Sequence, residues 1–390
     1  MSHNGTCSTD VLIVGAGVTG VATASLLARQ GVRVVLVDRW STYPACFKAE
    51  KIEPDQIDLL RKFGLMDGLL PHTARVREIL AAEDGRVLRA RPIEQFGIFY
   101  HDMVNQMRTE LPPSVEFQIG RVQDIQTGPE LQRVKLENGR EYTARLVVLG
   151  CGLGSSLYTQ LGLTRRMIQK DQSMAFGYNV VRTDGGRFPF DAVTYYPEDP
   201  GSRLAFLSLF LIGNLMRANM FAYWSEGEEI TRRFVQQPGR ELAAILPKLS
   251  KVIGDFDVVG KVETVRVDLY RMEGYLKPGV VVMADGLQSV CPTSGMGLSK
   301  VLTDVDVLCS ECVPHWLSTP GMSVEKIAAF YDNPRKQAVD RRALFAARYN
   351  REITLSSAFE WRARRARRRW ESRLGGWRDH LRAHAAAASV

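Results

Sequence analysis

The sequence has few cysteines and no long apolar run, and both absences exclude classes of protein. Its six cysteines lack the density of a disulfide framework and the paired spacing of a zinc site, since only Cys309 and Cys312 form a CxxC. The longest uncharged apolar stretch, 204–216, is too short to cross a bilayer, and the polar N-terminus has no signal-peptide core. We therefore expect a cytoplasmic protein that binds no metal ion.

The chain also lacks an evenly distributed excess of charge. Its net charge is +8, but residues 360–390 carry nine Arg against three acidic residues, so the remainder is nearly neutral. This pattern argues against a nucleic-acid partner. In the same Arg-rich tail, a stripe of apolar residues at helical spacing predicts packing on the chain's own body, with contact to a membrane or an acidic partner as the alternative. The stripe consists of Phe359, Ala363, Ala366, Trp370, Leu374, Trp377 and Leu381.

The first forty residues contain the most specific pattern in the sequence. An apolar run over 10–14 predicts a buried strand, and Gly15-Ala-Gly17-Val-Thr-Gly20 follows it directly. An Ala- and Leu-rich helix and a second apolar strand complete a βαβ unit that ends in Asp38. The glycines permit a tight turn, the approach of a pyrophosphate and close helix packing, while Asp38 can accept from a ribose hydroxyl. The unit predicts a dinucleotide-binding fold.

The remaining patterns predict an α/β protein with an insertion. Alternating apolar and polar residues over 166–275 predict an antiparallel sheet, and a buried strand over 279–283 returns to the parallel one. Residues of about 75–95 are expected to add strands to the inserted sheet. The predicted units are a nucleotide-binding domain over 1–165 and 276–320, a substrate-binding sheet over 166–275, and C-terminal helices with the basic tail over 321–390.

A second motif, late in the chain, resembles a known family when it is combined with the first. It reads Ala284-Asp285-Gly286, followed by Cys291-Pro292-Thr-Ser-Gly295-Met-Gly297. Over residues 10–310 the chain resembles the FAD-dependent aromatic hydroxylases, the group A flavoprotein monooxygenases typified by p-hydroxybenzoate hydroxylase. The resemblance implies a Rossmann-type FAD-binding domain with an inserted antiparallel-sheet substrate domain and a helical C-terminus.

The resemblance also implies an activity and its cofactors. FAD would be reduced by NADPH or NADH and would react with dioxygen to form a flavin C4a-hydroperoxide. The product would be a hydroxylated or epoxidised small molecule, made from an electron-rich aromatic substrate. This chemistry belongs to the cofactor, so the protein is expected to bind it, orient the substrate and exclude water.

Cofactor contacts are implied at both motifs. Asp285 would hold a ribityl hydroxyl, and Gly295 and Gly297 would present backbone N–H groups to the flavin ring. Pro292 would pack against the flavin ring and has no backbone N–H that could donate a hydrogen bond to it. Arg39, which follows Asp38, is included among the expected cofactor-binding residues.

Four positions depart from the family pattern. Lys48 and His101 stand where the family places arginines, and we still expect both at the cofactor. Cys151 stands where the family has an Asp, and Tyr158 stands where it has an Arg, although the neighbouring Gly152 and Ser155 are retained. These two losses leave FAD binding to the outer motifs but predict weak or unusual use of NAD(P)H, including dependence on a separate reductase.

The residues that act on the substrate are not identified by the sequence. We expect them on the apolar strands of the inserted sheet and name Tyr195, Tyr196 and Arg217 as candidates for handling a phenolic proton. Two other functions stay open: a flavoenzyme that does not insert oxygen, such as a reductase or desaturase, and a non-catalytic FAD-fold protein that binds a partner. The oligomeric state is not predicted.

Overall fold

Fifteen strands form two sheets in a computed structural model of the 390-residue chain, which describes residues 7–154 and 156–367. In chain order the strands are β1 (Cys7–Val14), β2 (Val34–Asp38), β3 (Lys51–Ile52), β4 (Ala74–Glu83), β5 (Arg86–Gly97), β6 (Val115–Ile119), β7 (Val122–Gln126), β8 (Gln132–Leu136), β9 (Glu141–Leu149), β10 (Thr164–Arg182), β11 (Ala192–Tyr196), β12 (Leu204–Ile212), β13 (Leu215–Ala222), β14 (Phe256–Glu273) and β15 (Val280–Val282).

The α-helices cover the sheets and form the C-terminal part of the described chain. They are α1 (Val18–Arg29), α2 (Pro54–Lys62), α3 (Met66–Leu69), α4 (Tyr100–Thr109), α5 (Ser156–Gln160), α6 (Glu229–Gln236), α7 (Pro238–Ile245), α8 (Ser250–Ile253), α9 (Gly297–Asp306), α10 (Val313–Leu317), α11 (Val324–Asp332) and α12 (Pro334–Leu355). A π-helical segment over Val307–Cys312 joins α9 to α10. Within the described ranges, none of these helices combines the length and apolar character needed to span a bilayer.

The first sheet has the doubly wound arrangement that the βαβ unit predicts. Its order is β6-β2-β1-β9-β8-β7, and β15 also pairs with β9. The pairs among β6, β2, β1, β9 and β15 are parallel. Most residues of β2 and β15, and of the C-terminal halves of β1 and β9, are buried in one apolar cluster with helices such as α1. The carboxyl ends of β1, β9 and β15 therefore lie side by side, although β15 comes more than a hundred residues after β9 in the sequence.

The second sheet is almost entirely antiparallel and has the order β14-β10-β13-β12-β11-β4-β5-β3. Its side chains alternate between two faces. Met216, Ala218 and Met220 of β13 pack with α6–α8 in one apolar cluster. Arg217, Asn219 and Phe221 consequently lie on the opposite face, which is turned toward the first sheet's domain.

The fold class is confirmed, with a parallel nucleotide-binding sheet, an inserted antiparallel sheet and helices at the C-terminal end of the described chain. One part of the insertion differs from the sequence interpretation, which expected only strands over 166–275. Residues 229–253 form α6–α8 instead. An eight-stranded sheet with apolar residues on both faces needs a cover on its outer face, and Phe234, Leu242 and Leu246 of these helices supply it.

Candidate active site

The glycines after β1 have three different environments. Gly15 has φ +98°, and a Cβ there would lie 2.7 Å from the carbonyl oxygen of Gly150. A Cβ on Gly20 would collide with the carbonyl oxygen of Gly15, so this glycine allows α1 to pack against the turn. Gly17 differs, because a Cβ there would meet only Tyr100 at 3.5 Å and Tyr43 at 3.8 Å. The space in front of Gly17 is therefore the part of the turn that can receive a ligand.

Asp38 is held at the end of β2 by three neighbours. Its carboxylate accepts from the backbone N–H of Ala16 at 2.7 Å and of Trp40 at 2.8 Å. Arg108 of α4 lies 3.3 Å from the same carboxylate and donates to the carbonyl oxygens of Ala16 and Trp40. Sequence reasoning missed Arg108, whose only signal is its place on the buried face of α4. Arg39 is exposed and its guanidinium lies over the Trp40 ring.

The Ala284-Asp285-Gly286 turn follows β15 directly. Ala284 has φ +54°, a conformation that is strained for a residue with a Cβ. The carboxylate of Asp285 accepts no hydrogen bond from any described residue. Burial raises the pKa of Asp285, while the charges of Lys300 and Lys48 act in the opposite direction. A half-buried acceptor without a partner fits a hydroxyl-bearing chain such as the ribityl group.

The glycines at the start of α9 leave open space beside this turn. Gly295 has φ +68°, and a Cβ on either Gly295 or Gly297 would meet nothing within 4 Å. α9 begins at Gly297, so the N–H groups of its first turn have no partner within the helix. Pro292 is half-buried ahead of them. Together with the free Asp285 carboxylate and the open Gly17 turn, these features fit FAD in an extended conformation.

Lys48 and His101 occupy different surroundings. The Nζ of Lys48 donates to the hydroxyl of Tyr43 at 3.1 Å and lies 5.0 Å from the centre of the Tyr100 ring. These are the same two tyrosines that face Gly17, so Lys48 lies beside the open space in front of the glycine turn. His101 stacks on Phe99, and its Nδ1 is buried without a hydrogen-bond partner among the described residues.

The loop after β9 places Cys151 beside the glycine turn. Its Sγ lies 3.4 Å from the carbonyl oxygen of Val14. Tyr158 is buried, donates to the carbonyl oxygen of Gly152 at 3.0 Å and packs against Gly286, where a Cβ would collide with its hydroxyl. Ser155 lies outside the described residues. The guanidinium close to this loop belongs to Arg165, which donates to the carbonyl oxygen of Leu153 and lies over the ring of Tyr270.

The inner face of the second sheet carries a polar row beside an aromatic row. Register places Ser208, Asn219, Gly177 and Glu263 next to one another across four strands. The adjacent row consists of Phe206, Phe221, Ala175 and Val265. Phe47, from the segment after β2, packs on this apolar row. The face also reaches the second motif, because the Ser173 hydroxyl lies 3.4 Å from the Cys291 Sγ.

Arg217 forms the centre of a buried polar cluster on this face. Its Nε donates to Glu50 at 2.8 Å, its Nη2 to Glu263 at 2.5 Å and its Nη1 to Asn179 at 3.4 Å. Burial raises the pKa of Glu50, and Arg217 partly offsets that effect. All three guanidinium nitrogens therefore have partners within the protein. A proton-transfer role for Arg217 is not favoured by this arrangement, and its evident contribution is to neutralise Glu50.

The two tyrosine candidates lie on opposite faces. Tyr195 is fully buried with the cluster under α6–α8, donates to Glu198 at 2.6 Å and accepts from the backbone N–H of Gly85 at 2.9 Å. Tyr196 lies on the inner face, with its ring against Phe206. Tyr196 also lines a cavity of about 110 Å³ whose wall includes Ala205, Thr354 and Arg365. The structure thus brings Tyr196 and Arg217 to the inner face and leaves Tyr195 away from it.

Comparisons with known proteins give a consistent family and fold. A family model described as FAD binding domain matches residues 8–313. The 3-amino-4-hydroxybenzoate 2-monooxygenase of Streptomyces cremeus is 26% identical over 202 residues, which is 49% of this chain and 49% of that protein. A 3-(3-hydroxy-phenyl)propionate/3-hydroxycinnamic acid hydroxylase of Mycobacterium sp. (strain JLS) is 37% identical over 93 residues, 23% of this chain and 16% of that protein. The match thus spans about half the length of the first relative and less of the second.

Among solved structures, p-nitrophenol 4-monooxygenase PnpA from Pseudomonas putida DLL-E4 superposes with a TM-score of 0.72. The superposition covers 92% of both chains at 18% sequence identity. At that identity the likeness shows the fold, so the chemistry has to be argued from the residues of this chain.

Proposed function

We propose, from the premise that this chain belongs to the FAD-binding domain family, that it is an FAD-dependent monooxygenase. Its substrate would be a small, electron-rich aromatic molecule, with NAD(P)H as the electron donor and dioxygen as the oxidant. The observation that carries the proposal is the unpartnered Asp285 carboxylate beside the open Gly295–Gly297 turn. Both lie next to an inner sheet face that combines aromatic and polar rows.

Bound FAD would supply the redox chemistry: it would accept electrons from NAD(P)H and activate dioxygen for transfer of one oxygen atom to the substrate. The residues of this chain have the remaining tasks. The Gly15–Gly20 turn and Asp38 would hold the adenosine diphosphate part, and Asp285 with the first turn of α9 would hold the ribityl and flavin part. Phe47, packed on the inner sheet face, would help to keep water from the ring.

The charges on the inner face support an aromatic substrate without a carboxylate. Two carboxylates, Glu50 and Glu263, flank the single guanidinium of Arg217, and each nitrogen of that guanidinium already donates within the protein. A substrate carboxylate at Arg217 would therefore add negative charge beside Glu50 and Glu263. The nearby cation Lys51, which donates to Ser208 at 3.4 Å, already pairs with Glu53 at 3.7 Å. A phenol or an amine could instead donate to Glu263. This preference differs from the benzoate and propionate in the names of the two relatives.

The experiment combines cofactor analysis with a substrate panel. The purified protein should contain or rebind FAD, and NAD(P)H oxidation and oxygen uptake should rise when a suitable aromatic is added. The panel should contain pairs that differ only in an amine or a carboxylate, such as tyramine and 4-hydroxyphenylacetate. A yellow protein whose oxygen uptake no aromatic stimulates, but which forms product anaerobically, would replace the proposal with a reductase or desaturase.

The reductase or desaturase is the second candidate because of one local observation. Tyr158 fills the position where the family has an Arg, and it is buried against Gly286 rather than exposed to a nucleotide. A protein without a charge-assisted contact there has less provision for binding NAD(P)H. A desaturase would instead pass two electrons from its substrate to FAD, and a reductase would receive them from a separate electron donor. A chain that neither contains nor rebinds FAD would support the third reading, a partner-binding protein with an FAD fold.

A further inference from the structure

Four charged side chains form a buried network beneath the Ala284-Asp285-Gly286 turn. Lys300 and Asp304 lie on α9, and Lys336 and Asp340 lie on α12. Lys336 is 3.0 Å from Asp304 and 3.2 Å from Asp340, while Lys300 is 3.6 Å from Asp304 and 3.2 Å from Asp340. The side chains of Lys300 and Asp304 are 0% exposed. The two positive and two negative charges balance, so the network is neutral as a whole.

The network holds both backbone polar groups of the strained residue in the turn. The N–H of Ala284 donates to Asp304 at 2.9 Å, and Lys300 donates to the carbonyl oxygen of Ala284 at 2.9 Å. These contacts stabilise the positive φ of Ala284, which sets the direction of the next residue, Asp285. Burial alone would raise the pKa of Asp304, but Lys300 and Lys336 outweigh it and keep that pKa below its ordinary range.

α12 is joined to the second motif at two further points. Gln288 donates to the carbonyl oxygen of Asp340 at 3.2 Å, and Asn350 donates to the carbonyl oxygen of Thr293 at 2.8 Å. The helix therefore contacts the segments on both sides of the space that we assign to the flavin. A well-packed apolar substitute could stabilise the fold as well as a buried ion network, so stability alone does not account for four charges here.

We infer that Lys336 and Asp340 are positioning residues for the cofactor, acting through Lys300 and Asp304 on the Ala284-Asp285-Gly286 turn. The inference rests on the proposed function, because it concerns how Asp285 is aimed at FAD. Neither residue touches the groove, and α12 lies outside the region that matches the family model, 8–313. In this inference α12, which follows the FAD-binding region in the sequence, helps to position the cofactor.

The test is a charge-balanced double variant, Lys336→Met with Asp340→Leu, which removes one charge of each sign. Asp306→Asn is the matched control, because Asp306 lies two residues beyond Asp304 on α9, is also 0% exposed and pairs with Lys62 and Arg335 instead of the turn. The readouts are the FAD dissociation constant from titration of apoprotein, the flavin midpoint potential and the apoprotein melting temperature.

We expect the double variant to bind FAD at least tenfold more weakly and with a shifted potential, while its apoprotein melts close to the unmodified chain. The control should melt at a lower temperature but keep its FAD dissociation constant within twofold. An unchanged FAD affinity in the double variant overturns the inference, and so does a loss of affinity that merely parallels the loss of stability in both variants.

Asp340→Asn provides a milder measurement if the double variant does not fold. It removes one charge and keeps a hydrogen-bond acceptor, so a severalfold weaker FAD affinity supports the inference and an unchanged affinity overturns it. Failure of the unmodified chain to rebind FAD would contradict the proposed function itself. Unchanged FAD affinity in the variants would contradict only the role of Lys336 and Asp340.

Discussion

At the scale of single residues, neighbouring glycines of one motif have separate roles. Gly20 makes room for the backbone of Gly15, whereas Gly17 borders an open space near Tyr43 and Tyr100. Replacement of Gly20 therefore creates a clash inside the protein. Replacement of Gly17 adds an atom only where a pyrophosphate would approach.

We predict that Gly17→Ala and Gly20→Ala affect different properties. Gly17→Ala should leave the melting temperature of the apoprotein unchanged and weaken FAD binding about tenfold or more. The added methyl group would occupy space in front of the turn and keep the pyrophosphate away from the backbone N–H groups there. Gly20→Ala should lower the free energy of unfolding by about 1–3 kcal/mol through overpacking. Urea unfolding of apoprotein and FAD titration separate the two effects. A folded Gly17→Ala protein with normal FAD affinity would contradict the cofactor assignment.

Arg217 was named as a candidate for handling a phenolic proton, but its surroundings could not be predicted. Its partners Glu50 and Glu263 lie far away in the chain, and only the fold brings them into contact. We predict that Arg217→Met destabilises the protein by about 3–5 kcal/mol, because Glu50 then stays buried without its charged partner and keeps only the Asn219 amide. Combining it with Glu50→Gln should recover much of that loss in urea unfolding. A stable Arg217→Met enzyme with abolished turnover would instead indicate a direct catalytic role.

At the scale of secondary-structure elements, local sequence patterns predicted the elements whose signal lies within one short segment of the chain. The glycine turn, the buried strand at 280–282 and the helical C-terminal region have signals within a few residues. The helices α6–α8 were missed although Leu242, Leu246, Leu249 and Ile253 recur at helical spacing. The alternating apolar and polar residues of the neighbouring strands led to the interpretation of the whole segment as an antiparallel sheet. The charge network under Ala284 was unpredictable, since Lys336 has no local feature that links it to Asp304.

The described part of the Arg-rich tail makes contacts with the end of α12. The Trp361 ring lies 5.5 Å from that of Tyr349, and Arg365 donates to the carbonyl oxygens of Ile353 and Ser356, where α12 ends. The remainder of the predicted apolar stripe, at Trp370, Leu374, Trp377 and Leu381, lies outside the described residues. These contacts are made by Trp361 and Arg365, which are not members of the stripe, whereas the described stripe residues Phe359, Ala363 and Ala366 are exposed. The expected packing of the stripe on the chain's own body is therefore not seen at these three residues.

We predict that deletion of residues 358–390 lowers the melting temperature or solubility more than it changes binding to anionic vesicles. The physical reason is the loss of the aromatic contact and of the donors to the last carbonyl groups of α12. Trp361→Ala in the full chain is the matched control and should reproduce part of the loss in stability. An unchanged melting temperature together with abolished binding to phosphatidylserine vesicles would reverse this interpretation.

At the scale of the whole molecule, the pairing of β9 with both β1 and β15 builds the sheet edge at which we propose that the cofactor binds. It places the glycine turn, the Cys151 loop and the Asp285 turn at the carboxyl edge of one sheet. The second sheet then faces this edge through Phe47 and the Ser173–Cys291 contact. Sequence patterns predicted the three loops separately, and their common edge follows from the parallel order.

The Cys151 loop also determines the last prediction, which concerns reduction of the flavin. Tyr158 is buried where the family has an Arg, and Cys151 replaces a carboxylate, so two charge-assisted contacts are missing from this edge. We predict that NAD(P)H reduces the bound flavin slowly without substrate and saturates only at high concentration. Stopped-flow absorbance under anaerobic conditions measures both quantities.

A separate flavin reductase should then increase turnover of the same protein, because it bypasses the weak nicotinamide site. Tyr158→Phe is the matched control: it removes the hydrogen bond to Gly152 but keeps the buried ring, and it should leave the slow reduction unchanged. Fast reduction by low-micromolar NAD(P)H in the absence of substrate would contradict the prediction. It would mean that the nicotinamide is bound by groups other than those at positions 151 and 158. The exposed Arg165 beside this loop would then be the first residue to replace by mutation.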